Sequence, residues 1–167
     1  AMASALSTKM ICAITSCQHA TKHGSKSKYC RKHQAEARQQ WTDDRDREKK
    51  ERQERYRAFA EAWDEASKSA IEAWDKAMQR PEYARGHACL RVDPASSSFA
   101  KWLKKQEIGC RRFPRGWHIS SQTLIRDNGC PWYEPKLAAT FKAAEILNKM
   151  LREHDPKTTI RAEAQLD

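Results

Sequence analysis

Glycine and proline are scarce in this chain, five and six among 167 residues, and neither occurs from Gln34 to Arg80. That stretch is rich in Ala, Glu, Arg, Lys and Gln, so the missing breakers predict one long helix. Unbroken, it would run about 70 Å at ~1.5 Å per residue. Long apolar runs are missing too, and no window approaches the ~20 residues of a membrane span. The four residues ITSC (14–17) resemble a lipoprotein cleavage box, but the apolar run before them is only MICAI, with Lys9 just upstream. That is too short for a secretion signal. A cytoplasmic location follows as the expectation, and the six cysteines then read as thiols or metal ligands instead of disulfides. No glycine-rich phosphate loop is present, and Ser96, Ser97 and Ser98 have no recognisable base beside them.

Acidic residues are absent from the first 33 positions, which carry six Lys/Arg. Residues 34–80 hold eleven bases against twelve acids, and residues 81–167 hold fifteen against ten. The formal net charge of +10 is therefore carried by the two ends. Such a balance favours a polyanionic partner, nucleic acid above all. Six tryptophans in so polar a chain still require a core. We expect an α+β, mostly helical chain in four parts. These are a zinc-binding module (1–33), a long charged connector or dimerisation helix (34–80), a small domain of helix, β-hairpin and terminal helix (81–155), and a loose tail (156–167).

The first part of the central helix offers the i,i+4 pairs Asp43–Arg47, Asp46–Lys50, Glu48–Arg52 and Glu51–Arg55. Thr42, followed by acids, could be a fresh N-cap and allow a break near Trp41. Further on, Tyr56, Phe59, Trp63, Ala66, Ala70, Trp74 and Met78 recur at spacings of three and four. They form an apolar stripe that must lie against the C-terminal region or a second copy, as in a coiled coil.

The segment CAITSCQHATKHGSKSKYCRKH (12–33) has almost nothing apolar, so a hydrophobic core cannot order it. Cys12, Cys17, Cys30 and His33 follow the spacing C-x4-C-x12-C-x2-H. Zinc takes four such thiolate and imidazole ligands in a tetrahedron, and its binding would supply the missing folding energy, roughly 10 kcal/mol or more. His19 and His23 are close enough in sequence to exchange with a ligand. The pattern resembles the small treble-clef zinc fingers of many phage and bacterial proteins, in which a cysteine knuckle precedes a C-x2-H or C-x2-C that opens a helix. The resemblance covers about two dozen residues and implies a Zn2+ site with a nucleic-acid or protein contact. The four-residue first gap departs from the commonest knuckle and leaves Cys17 and His19 both open as second ligand. A site filled by four protein ligands is structural, and catalysis is not expected there.

Beyond Pro81, HACLRVDP reads as a strand, SSSFAKWLKKQ as an amphipathic helix, and GCRRFPRGWHIS as a hairpin around Pro114-Arg115-Gly116. Residues 136–153 read as a final helix. Between 101 and 126, Lys101, Lys104, Lys105, Arg111, Arg112, Arg115 and Arg126 face a single acid, Glu107, with Phe113 and Trp117 interleaved. A lysine-bearing helix before an arginine-tipped hairpin is the layout of a winged helix. The lysines and arginines would meet phosphates and Trp117 could stack a base; the bland alternative is a solvated face with both rings in the core. A second candidate metal cluster is His87, Cys89, Cys110 and His118, with Cys130, although its spacing is irregular and such cysteines are more often small core residues.

The leading expectation is a zinc-containing accessory or regulatory protein, of phage or mobile-element character, that binds nucleic acid, DNA ahead of RNA. A phage protein would act in its host's cytoplasm. The alternative is an inhibitor or adaptor that docks a host protein, or a second copy, through residues 56–78. The third reading is a zinc-finger-bearing nuclease. Some phage recombination endonucleases share the order zinc finger, charged helix, HNH domain. Here no pair of C-x2-C knuckles and no H…N…H order surrounds His87, His118 and Asn128.

Overall fold

The computed structural model describes residues 30–79, 84–111, 116–126 and 132–166. The chain divides into two compact units, Ala1–Arg52 and Gln53–Asp167. Its fold is α+β and mostly helical.

In the first unit the described residues belong to the start of helix α1 (Arg31–Met78). The Gln34 amide closes the first turn on the Cys30 carbonyl at 2.9 Å. No break occurs at Trp41. The Thr42 hydroxyl donates back to the Arg38 carbonyl (2.9 Å) instead of capping a new helix. Trp41 is 61% exposed, with the Arg45 guanidinium 4.7 Å above its ring. Arg47 pairs with Asp44 at 2.7 Å and not with the expected Asp43, which takes the Gln39 amide instead. Exposed helix pairs of this kind contribute only about 0.2–0.5 kcal/mol each.

The second unit is built on an antiparallel sheet. Strands β1 (Gly86–Asp93), β3 (Trp117–Ser120) and β4 (Thr159–Leu166) carry it, and the two-residue β2 (Cys110–Arg111) adds an edge, in the order β2-β3-β1-β4. Helix α2 (Ser98–Lys105) connects β1 to β2; α3 (Ser121–Ile125) and α4 (Tyr133–Leu151) connect β3 to β4. This is the connectivity of the split βαβ, ferredoxin-like arrangement. A winged helix needs its hairpin to project as a free wing. Here β3 is an interior strand, paired with β2 on one side and β1 on the other.

Period-2 alternation separates the two faces of the sheet. Ala88, Leu90 and Val92 of β1, Trp117 and Ile119 of β3, and Ile160 of β4 join the core. The apolar stripe of α1 joins it as well: Phe59, Ala62, Ala66, Ala70 and Trp74 are buried, while Met78 is 36% exposed. Phe59 meets Phe99 edge-on at 5.4 Å and Trp102 at 6.3 Å. The stripe is therefore covered by its own C-terminal domain.

The expected loose tail (156–167) holds a strand instead: β4 pairs with β1 along its whole length, from Gly86↔Leu166 to Asp93↔Thr159, and Asp167 lies outside the described residues. Two side chains, Asn148 and the buried Asp155, hold this end of the chain. The Asn148 amide donates to the Ile160 carbonyl (2.7 Å) and accepts from the Ile160 N–H (2.9 Å). The Asp155 carboxylate accepts from the Phe99 N–H at 2.9 Å, beside the Ser97 cap of α2, where a negative charge suits the helix N-terminus. Helix α4 begins before the expected residue 136, because Pro135 falls in its first turn, where a missing N–H costs nothing. The Tyr133 N–H, free of the helix, donates to the Ala84 carbonyl.

Candidate metal centre and basic face

The first turn of α1 brings together the C-x2-H half of the N-terminal motif. Cys30 is buried, and its Sγ lies 3.4 Å from His33 Nδ1. Three residues is close to one helical turn, so both side chains leave the helix on one side. Cys12, Cys17, His19 and His23 lie outside the described residues.

The second group is assembled by sheet register. The face of β1 turned away from the core presents His87, Cys89, Arg91 and Asp93; β3 adds His118 and Ser120. Cys89 stands opposite Ser120 on one side and Glu163 on the other, and Cys110 stands opposite His118. Cys89 Sγ is 3.7 Å from His118 Nδ1, and a Glu163 carboxylate oxygen completes a set of three donor atoms within 4.8 Å of one another. Cys89, His118 and Glu163 together could hold a metal ion. Of the residues expected from sequence, Cys89 and His118 belong to this set. His87 and Cys110 line the same cleft without joining it, and Cys130 lies outside the described residues.

The cleft measures about 730 Å³, and Ser120, Gln122 and Lys136 also line it. Lys136 is buried and donates to the Gly86 carbonyl at 3.0 Å, which fixes the entry to β1. Gly109 forms part of the wall with φ +79°; a Cβ there would come within 2.4 Å of the His118 carbonyl oxygen, so a side chain is sterically excluded.

Arg91 links the open face electrostatically. Its Nη1 donates to Glu163 Oε1 and its Nε faces Asp93 Oδ2, both at 2.8 Å. The hydrogen bond to Glu163 first, and that to Asp93 second, raise its pKa above the ordinary guanidinium value.

Sequence reasoning missed Glu163 and Arg91. The visible signal for Glu163 was the alternation of Ile160, Ala162 and Ala164 with Arg161 and Glu163.

The basic residues divide between described and undescribed positions. Lys101, Lys104 and Lys105 are exposed on α2, while Phe99, Trp102 and Leu103 fill the core beneath them. The Lys105 ammonium sits 5.5 Å from the Tyr56 ring centroid. Arg111 belongs to β2, and Arg112 and Arg115 lie outside the described residues. Trp117 is not available to stack a base. It is 9% exposed, and its indole N–H donates to the Ile108 carbonyl at 2.7 Å.

The fold and site thus define an α+β protein with a cleft that could hold a metal on one face of its sheet. Comparison with protein-family models, curated proteins and solved structures finds no match. Among the described residues no helix is long and apolar enough to cross a membrane.

Proposed function

We propose that the chain is a zinc-containing nucleic-acid-binding accessory or regulatory protein. It would hold backbone phosphates through the lysine side of α2, the arginines that follow, and the basic Cys/His module at its N-terminus. The observation that carries this reading is the presentation of Lys101, Lys104 and Lys105. All three are exposed on one short helix that contains no acid. No salt bridge among the described residues involves them. Their positive charge is therefore open to an external anion, at the same end of the sequence as the Arg111–Arg115 run.

Contact through phosphates fits this surface better than base stacking. Sheets that read single-stranded RNA carry aromatic rings on their open central strands. The corresponding residues here are His87, Cys89, Arg91 and Asp93 on β1, with His118 and Ser120 on β3. Duplex DNA is accordingly the first ligand to test. The adaptor reading relied on an open apolar stripe between residues 56 and 78, and most of that stripe is taken up by the chain's own core.

Each phosphate neutralised on duplex DNA contributes about −0.9 to the log–log slope of affinity against salt. Replacing Lys101, Lys104 and Lys105 together by Ala should flatten that slope by roughly 2–3 units. These side chains are exposed, so circular dichroism should show an intact fold. An unchanged slope in the folded variant overturns the lysine contact.

A further inference from the structure

We propose that Cys89, His118 and Glu163 bind one Zn2+ whose fourth position opens into the cleft and takes water or a small monodentate anion. This site is separate from the N-terminal one and does not depend on the nucleic-acid reading.

Donor chemistry selects the metal. A thiolate, an imidazole and a carboxylate form a borderline-soft set that suits Zn2+, whereas Mg2+ and Ca2+ require oxygen ligands. Zn–S and Zn–N bonds of about 2.3 and 2.0 Å at a tetrahedral angle put sulfur and nitrogen about 3.5 Å apart. Cys89 Sγ and His118 Nδ1 already stand at 3.7 Å. Glu163 reaches the same place from the other side of β1, as the direct cross-strand partner of Cys89. Opposed residues in an antiparallel pair have Cβ atoms roughly 5 Å apart, and His118, opposite Arg91, lies diagonal to Cys89, so ladder pairing brings the three donors together with no loop taking part.

Arg91 is the positioning residue. It fixes the Glu163 carboxylate through Oε1 at 2.8 Å, as outer partners of zinc ligands commonly do. The charges also balance. Thiolate and carboxylate offset Zn2+, and Asp93 offsets Arg91. Binding forms a Zn–S bond as the Cys89 thiol gives its proton to solvent, so affinity falls as pH is lowered. Three protein ligands beside a cleft of about 730 Å³ give the arrangement of a zinc site with an exchangeable position.

The test uses the full chain, loaded with Zn2+ or with Co2+ as a spectroscopic substitute. Replacing Cys89→Ser with His118→Ala should lower bound metal by one equivalent, whatever the N-terminal ligands hold. Cys30→Ser with His33→Ala should leave that equivalent in place. In the Co2+ form, azide should shift the visible bands assigned to the Cys89 site by difference against the Cys89→Ser variant. Arg91→Met should weaken this equivalent about 10- to 100-fold, with partial recovery in Arg91→Lys. The Cys89, His118 and Glu163 side chains lie on the open face, and Glu163→Gln supplies a second variant should the double one misfold. Unchanged metal content in either folded variant overturns the site. An azide-insensitive spectrum overturns the open position.

Discussion

Two Cys/His groups in this chain are put together by different means. Cys30 and His33 meet because a helical turn separates them, whatever the remaining chain does. Cys89, His118 and Glu163 are separated by up to 74 positions in sequence and meet because three strands pair in one register. The first group sits in a sequence too polar to build a core, so a metal bound there would be coupled to folding. The second group rests on a scaffold that already has its core, and a metal there would be an addition to a folded sheet.

The largest effect should separate them directly. If Cys30 and His33 hold the proposed zinc, Cys30→Ser with His33→Ala should forfeit roughly 10 kcal/mol of metal-coupled folding. Hydrogen exchange at the Gln34 amide, which closes on Cys30, should rise sharply. The same assay after Cys89→Ser with His118→Ala should leave Gln34 unchanged and the strand amides of β1 still protected.

A smaller break concerns the scaffold. Gly109→Ala would force a side chain toward the His118 carbonyl in a left-handed backbone conformation, costing about 1–3 kcal/mol. Denaturant melts should record that loss, and metal titration should show weaker binding at the Cys89 group alone. Asn148→Ala acts from the other side of the sheet by leaving the Ile160 backbone groups without their partner. A loss of about 1–2 kcal/mol is expected, with a looser β4 and weaker metal retention through Glu163. Both substitutions should spare the N-terminal equivalent.

Smallest of all should be His87→Ala and Cys110→Ser. Both residues are exposed and line the cleft without joining the three-donor set. Stability should change by less than about 0.5 kcal/mol, and metal stoichiometry by nothing. A lost equivalent in either variant would redraw the ligand set.

Much of the fold was legible because it rests on local periodicity. The breaker-free helix, the strand HACLRVD, the amphipathic SFAKWLKK and the hairpin at Gly116 all follow from spacing and punctuation. Strand β4 escaped notice because TIRAEAQL holds two Ala and a Glu, weak strand formers, and follows a proline. Beyond the alternation of Ile160, Ala162 and Ala164, its strand character comes from pairing with β1 and from Asn148, neither of which is a local signal. Glu163 was hidden with it. Trp117 was left open between a stacking ring and a core residue for a related reason. Beside arginines it reads as a stacking ring, but alternation along β3 turns it to the core face, opposite Val92. His87, Cys89, Cys110 and His118 were visible as a group of suitable donors. Only the register could say which two converge.

The central claim is that this basic chain binds nucleic acid through phosphates. It is tested most directly by anisotropy titration of the full, zinc-loaded chain against a labelled DNA duplex over a range of salt concentrations. The account predicts log affinity falling linearly with log salt, steeply enough for several phosphates at about 0.9 each, with little dependence on duplex sequence. Affinity independent of salt, or no binding at low salt, would contradict it.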